Sequence, residues 1–287
     1  MIEDPSCFAA DLIDRAGYPI DDLTHPASRA LIERCRAELG ERQVSVVHGF
    51  LDPEALSHMA REAGRLTSRG YRRPGLRTCY VGSEAEPGWP EDHPRRRLLT
   101  HKTHIIAYDQ IRGRTAIDRL YRWAPLRRLL AAILGKERLY LRDCPYQALN
   151  LLAFKDGDES SWHFDCDNEY TVTLLLQAAE AGGDFEIAPK LRSESDPAYG
   201  EVRKVLDGDR GRVIRVDRAP GSLVIFYGHD SLHRVSPVHG RRPRLAAVMC
   251  YEQTPGIVGS EAMNTAIYGP RVAALQGGSG PETVPAG

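Results

Sequence analysis

Trp162-His163-Phe164-Asp165 sets an imidazole and a carboxylate two positions apart, just ahead of the apolar run "TVTLLLQ". On a β-strand, positions i and i+2 share a face, so His163 and Asp165 are expected to point the same way. Two such donors hold a metal ion poorly. A third is offered by His233 in "HDSLHRVSPVHG", at the mouth of a further expected strand. Two histidines and one carboxylate on one side of an ion make a facial triad with three open positions, the donor set of non-haem Fe(II) sites that handle oxygen. A His-x-Asp pair alone is more often a hydrogen-bonded surface pair; the stretch after His233 sharpens the reading. Arg242 and Arg244 lead into the apolar "LAAVMCY", and a guanidinium entering a buried strand is costly unless it meets an anion. Its planar fork suits a carboxylate. The pattern therefore predicts a metal site with a carboxylate-bearing cosubstrate anchored beside it.

The elements that must hold these residues follow from periodicity. "ASRALIERCRAELG" spaces apolar residues at helical intervals and is expected to close on Gly40, with a strand "QVSVVHGF" next. "LDPEALSHMAREAGRL" has an Asp at the cap position and Pro in the first turn, a strong helix start. Between Gly70 and His93, Gly, Pro and Arg break every period, which predicts a long loop able to cover a site. "TAIDRLYRWAPLRRLLAAILG" reads as an amphipathic helix bent at Pro125. After it the period changes to two, and short strand-like segments recur between Gly, Pro and Asp clusters, interrupted by one helical insertion, "DPAYGEVRKVLDGD". This order predicts a mainly β fold with supporting helices, either a two-sheet sandwich or an open barrel. The expected organisation is a helical region over 1–139 with its loop at 70–93, a catalytic core over 140–255, and an extension over 256–287 with a flexible tail, all in one unit.

Composition narrows the class. Of 287 residues, 42% are hydrophobic and 27% charged, and the formal net charge is −1; this is a globular chain without the basic surplus that would favour nucleic acid. No apolar run approaches the ~20 residues of a membrane span, and the acidic start lacks an export pattern, so a cytoplasmic location is expected. Six scattered cysteines, Cys7, Cys35, Cys79, Cys144, Cys166 and Cys250, form no CxxC pair and read as free thiols. His101 and His104, three apart on an apparent strand, should face opposite sides and not act together. His229, on a turn near His233, is expected no closer than the surroundings of the metal.

The ordered set "WHFD", "TVTLLLQ", "APGSLVIFYG", "HRVSPV" and "RPRL" resembles the 2-oxoglutarate and Fe(II)-dependent oxygenases over roughly residues 140–255. That resemblance implies a double-stranded β-helix (jelly-roll, cupin-like) core, with iron on His163, Asp165 and His233 and with Fe(II), 2-oxoglutarate and O2 as cofactors. It also implies a basic residue about ten positions past the second histidine for the far carboxylate of 2-oxoglutarate. Arg242 and Arg244 both qualify; Arg244, directly before the apolar run, is preferred, and Asn150 is a further candidate contact. A narrower likeness over about residues 100–270, carried by "LYRWAPLRRLLAAILG", "LNLLAF", "EAGGDFEIAP", "VRKVLDGD" and "RPRLAAVMCYEQTPG", is to the radical lysine halogenases and their relatives, the hydroxylases of free amino acids. Those halogenases replace the metal-binding carboxylate by glycine to admit chloride; retention of Asp165 implies hydroxylation. The expected substrate is a small polar molecule, a free amino acid or a derivative such as a guanidino or ureido one, with Asp167, Asn168, Val248, Cys250 and Tyr268 as candidate contacts. The alternatives are a peptidyl or prolyl hydroxylase of the same chemistry and a jelly-roll module that binds without catalysis.

Overall fold

The computed structural model describes residues 9–73, 75–80, 85–165 and 169–277. Its helices and strands, in chain order, begin with α1 (Pro26–Arg42), β1 (Val44–Val47), α2 (Pro53–Leu66), β2 (Tyr71–Arg73), β3 (Leu76–Arg77) and β4 (Leu99–Ile106). Then come α3 (Ala116–Arg122), α4 (Ala124–Ile133), β5 (Tyr140–Leu141), β6 (Leu149–Phe154), β7 (Glu159–His163) and β8 (Glu169–Gln177). β9 (Ala181–Gly182), β10 (Phe185–Ala188), α5 (Tyr199–Leu206), β11 (Ile214–Arg215) and β12 (Leu223–Phe226) follow. The remainder is β13 (Leu232–Val235), β14 (Val238–His239), β15 (Arg244–Glu252), α6 (Glu261–Tyr268) and α7 (Pro270–Gly277). No described helix is long and apolar enough to cross a membrane.

The main sheet runs β1-β12-β8-β15-β6-β4-β7-β13-β10-β11, with antiparallel pairing along this path. β4 is its hinge: His104–Ile106 pair with β6, whereas His101 and Lys102 pair with β7. One strand thus joins two layers, and the sheet curls into the jelly roll that the resemblance implies. Strand alternation divides each strand between two environments. On β15, Leu245, Ala247, Met249 and Tyr251 pack into the large core formed with α1–α4, while Arg244, Ala246, Val248 and Cys250 line interior cavities. Each fully buried Leu or Ile of that core contributes roughly 1.5–3 kcal/mol, so the helices brace the larger layer from outside and leave its inner face for chemistry.

Local chemistry explains where elements depart from expectation. α1 runs through Gly40 and ends at Gln43, which adopts the left-handed conformation at φ 60° and donates both its backbone N–H and its side-chain amide to the Leu39 carbonyl. The helix expected to bend at Pro125 is broken: Trp123 is extended between α3 and α4. Proline cannot donate to the carbonyl four residues earlier, and that carbonyl, of Tyr121, accepts from the Tyr251 hydroxyl at 3.1 Å. The expected loop at 70–93 contributes β2 and β3, both paired to β4. Residues 81–84 of that loop lie outside the described residues. β1 and β4 belong to the sheet although they precede residue 140, since pairing partners and not sequence order decide membership.

Candidate active site

β7 and β13 pair antiparallel with His163 directly opposite His233, which brings their rings to 4.1 Å between centroids. Asp165 lies two residues beyond His163, its backbone N–H donating to the Gly228 carbonyl at 3.0 Å. Its Oδ1 stands 3.8 Å from His163 Nε2 and 3.4 Å from His233 Nε2. Among the described residues these three form a group whose donor atoms all lie within 4.8 Å of one another. Each histidine is oriented by a carbonyl two residues earlier: Nδ1 of His163 donates to Ser161 at 2.8 Å and Nδ1 of His233 to Ser231 at 3.0 Å. A carbonyl only accepts, so each Nδ1 carries a proton, which leaves Nε2 as the atom that would serve a metal ion. Burial, then the Arg77 guanidinium, pushes the His163 cation well below its ordinary range. Burial opposes ionisation of Asp165, but His233 first and then Arg77 and Arg192 more than offset it, so the carboxyl titrates lower than usual. Neutral imidazole and ionised carboxylate are the states a cation needs.

Two cavities meet at this triad. The smaller, about 130 Å³, lies between the layers and reaches Arg218 and Arg244. Arg244 is 3% exposed and gives its Nε to the Gly183 carbonyl at 3.1 Å; burial lowers its pKa to about 10. Arg218 gives Nη1 to Thr173 Oγ1 at 3.4 Å, and its buried Nη2 has no hydrogen-bond partner. Burial, and next the neighbouring Arg244, push Arg218 well below the ordinary arginine range. Two guanidiniums sharing one cavity are costly without a counter-anion, and the nearby Asp184 carboxylate offsets the burial of each only in part. Arg242, in contrast, is exposed and donates to the carbonyls of Ala178 and Ala179 at 3.0 and 3.1 Å, outside this cavity.

The larger cavity, about 270 Å³, lies on the other side of His163 and Asp165. Val248 borders both cavities, and Cys250, Asn150 and Tyr268 line the larger. Asn150 is committed within the protein: its amide donates to Tyr146 O at 2.7 Å and its Oδ1 accepts from the Tyr268 hydroxyl at 2.8 Å. It does not appear among the residues lining the smaller cavity, where the two arginines lie. Asp167 and Asn168 lie outside the described residues. His101 borders the larger cavity, its ring 6.4 Å from that of His163, whereas His104 faces away and meets Asp158 at 3.2 Å. His229 bonds Asp230 at 2.7 Å beside a separate surface pocket.

Sequence reasoning missed Arg218, Gly228, Arg73, Arg77 and Arg142. With 33 arginines in the chain, none of these was marked by type, and no period selects them. Gly228 left a faint signal, a glycine at the end of an apolar strand. A Cβ there would come to 1.9 Å from Asp165 Oδ2.

Comparison places these features in a family. Residues 27–266 match the halogenase D family, while curated protein sequences give no match. Among solved structures, an oxidoreductase of the 2OG-Fe(II) oxygenase family from Burkholderia pseudomallei is similar with a TM-score of 0.52 at 15% identity, covering 79% of this chain and 92% of that one. A prolyl hydroxylase from Trichoplax adhaerens, in complex with a peptide fragment of hypoxia inducible factor, gives 0.53 at 16% identity over 78% and 90%. EctD from S. alaskensis, with 2-oxoglutarate and 5-hydroxyectoine, gives 0.51 at 16% identity over 76% and 75%. Fold and family agree: the chain belongs to the halogenase D family, built on the jelly roll of the 2-oxoglutarate and Fe(II)-dependent oxygenases.

Proposed function

We propose that this chain is an Fe(II)- and 2-oxoglutarate-dependent hydroxylase of a small polar molecule, with a free amino acid or a derivative as the substrate class to test first. The observation that carries the reading is the triad of His163, Asp165 and His233 set beside a cavity that ends on Arg218 and Arg244. The donor set fits Fe(II): two Nε2 lone pairs and one carboxylate converge, and no thiolate is among them. Bound there, iron with 2-oxoglutarate and O2 supplies the oxidant, and the balance is one substrate C–H, 2-oxoglutarate and O2 giving an alcohol, succinate and CO2.

The chain's own groups do the positioning. Arg244 and Arg218 offer guanidinium N–H donors to the far carboxylate of 2-oxoglutarate, which would relieve their buried charge. The Ser161 and Ser231 carbonyls hold the imidazoles in register. Asp165 fills the position that the halogenases leave for chloride, which supports hydroxylation over halogenation. Met263, Ile267 and Tyr268 of α6 wall the larger cavity, a cover that favours a small molecule over a peptide laid in an open groove.

The test is optical. Fe(II) and 2-oxoglutarate mixed with the protein under argon should give the weak visible charge-transfer band of the chelate, and Asp165→Ala or His233→Ala should abolish it. Admission of air with a panel of free amino acids should then yield succinate in step with a hydroxylated product. Well-folded protein without the band would point instead to a module that binds without catalysis, and turnover with peptides alone to the peptidyl reading.

A further inference from the structure

The two cavities at the triad are joined by a third. The larger meets the smaller where Leu152, Ser160, His163, Asp165 and Val248 line both. At its other end the smaller cavity shares Phe185, Arg218 and Arg244 with a pocket of about 280 Å³, which reaches the surface at the exposed Arg215 and Asp217. Two guanidinium side chains and one phenyl ring are thus the wall that the inner cavity and the outer pocket have in common.

The two arginines of this wall are held unequally. Arg244, 3% exposed, has its Nε fixed on the Gly183 carbonyl at 3.1 Å. Gly183 is left-handed at φ 68°, and a Cβ there would come to 2.9 Å from Arg244 Cδ, so the stem of this arginine is seated against bare backbone. Arg218 is half-buried and stands between the exposed Asp217 and Ala219. Its hold consists of one long hydrogen bond, Nη1 to Thr173 Oγ1 at 3.4 Å, and the Phe185 ring, whose centroid is 4.9 Å from the guanidinium carbon. Nη2 has no hydrogen-bond partner. A side chain held so lightly changes rotamer at small cost. The outer pocket, at about 280 Å³ against 130 Å³ inside, has room for the displaced guanidinium and for a passing dicarboxylate. Arg215 and Asp184 pair in its lining at 2.9 Å, with the arginine 73% exposed; so wet an ion pair is too weak to bar the way. Passage through the larger cavity is the harder course: a dicarboxylate arriving there must cross the triad, and succinate leaving there must wait for the product to go.

We propose that the outer pocket is the port through which 2-oxoglutarate enters and succinate leaves, with Arg218 as the side chain that swings aside and then closes on the far carboxylate. Cosubstrate exchange is then independent of what occupies the larger cavity. The port rests on the hydroxylase reading for the identity of its cargo, but is itself a property of rates and not of turnover.

Stopped-flow mixing of Fe(II)-loaded protein with 2-oxoglutarate under argon, followed by the chelate band, gives the rate of entry; a chase with excess succinate, which forms no such band, gives the rate of exit. Asp217→Trp and Ala178→Trp fill the outer pocket from two segments, and neither residue lines the smaller cavity. Each should slow both the appearance and the loss of the band at least about fivefold and leave the half-saturating 2-oxoglutarate concentration within about twofold, because an obstructed path hinders both directions equally. Asp217→Asn, which removes the charge without adding bulk, should not slow entry. Thermal melts of the metal-free variants establish that each is folded, and the exposed position of Asp217 keeps one plug available if the other disturbs packing. Unchanged rates in a folded tryptophan variant that forms the band would overturn the port. So would a weakened affinity with an unchanged exit rate, which would place the effect in the bound state and not along the path. Wild-type protein without the band would sink the oxygenase reading itself, and the port with it.

Discussion

Gly228→Ala probes the proposed metal centre from a position that is not itself a ligand. The added Cβ would lie 1.9 Å from Asp165 Oδ2, 2.6 Å from its Cγ and 3.0 Å from His233 Cε1, where real Cβ atoms essentially never come closer than 3.0 Å. Relief therefore needs the carboxylate to move by about 1 Å or more. Backbone strain plays no part, because position 228 is not among the positive-φ residues. The short aspartate side chain can escape only by rotating off the triad or by parting from the Gly228 carbonyl, which its N–H now reaches at 3.0 Å. Displacing one of three ligands by that distance should weaken Fe(II) binding about 10–100-fold, as disturbed supporting contacts do at other metal sites. Anaerobic iron titration at saturating 2-oxoglutarate, read by the chelate band, gives the affinity; thermal melts of the metal-free protein report the steric cost. In an Asp165→Gly background that cost should shrink, since the principal clash is gone. Wild-type iron affinity in Gly228→Ala would refute the reasoning.

Arg244→Met and Arg218→Met should each raise the 2-oxoglutarate concentration for half-maximal band about 10–100-fold, and Arg242→Met should leave it within about twofold; an Arg242 effect equal to that of Arg244 would reverse the assignment. Removing one of two buried like charges should leave the melting temperature of metal-free Arg218→Met unchanged or higher, so a marked fall would argue that this arginine is a structural element. Burial pushes the Cys79 thiol up from 9.0 to about 12; the raised folded value means a stability contribution present below pH 9 and lost as pH climbs toward 12, visible in denaturant midpoints of wild type against Cys79→Ala. Product formed in chloride buffer should carry hydroxyl and no chlorine by mass spectrometry, and Asp165→Gly should make the chelate band sensitive to chloride while wild type remains insensitive.

The triad was legible because its signals are local: two ligands at i and i+2, and a third ahead of a Val-x-Pro-Val run. The strand phase shared by Arg244, Val248 and Cys250 was legible for the same reason. What failed to show in the sequence depends on partners far along the chain. β2 and β3 have no period of their own and exist as strands because β4 offers them an edge. Trp123 ends α3 two residues before the proline that sequence marks, where Tyr251 from β15 takes over the freed carbonyl. Arg218 shares its stretch with Arg210, Arg212 and Arg215, and only the fold turns its side chain inward beside Arg244. Asn150 was legible as a polar residue on an inner face; that its Oδ1 is claimed by Tyr268 depends on a helix more than 100 positions away.

The three ligands differ in how firmly the fold fixes them. His163 and His233 face each other across a ladder, and a slip of one residue would turn either ring to the opposite face, so their convergence is tied to the register of the sheet. Asp165 stands past the end of β7, its N–H bonded to the Gly228 carbonyl, its own carbonyl accepting from Arg192 Nη2 at 3.4 Å, and its side chain accommodated by the bare Cα of Gly228. Exchange of that ligand disturbs no ladder pair and no core contact, whereas exchange of either histidine does. A family able to carry either a carboxylate or a halide at one metal position needs this division: two ligands built into the sheet, and a third on a segment that can change without refolding the rest. In this chain the carboxylate and the glycine beneath it form a matched pair, and the proposed hydroxylation rests on that pair.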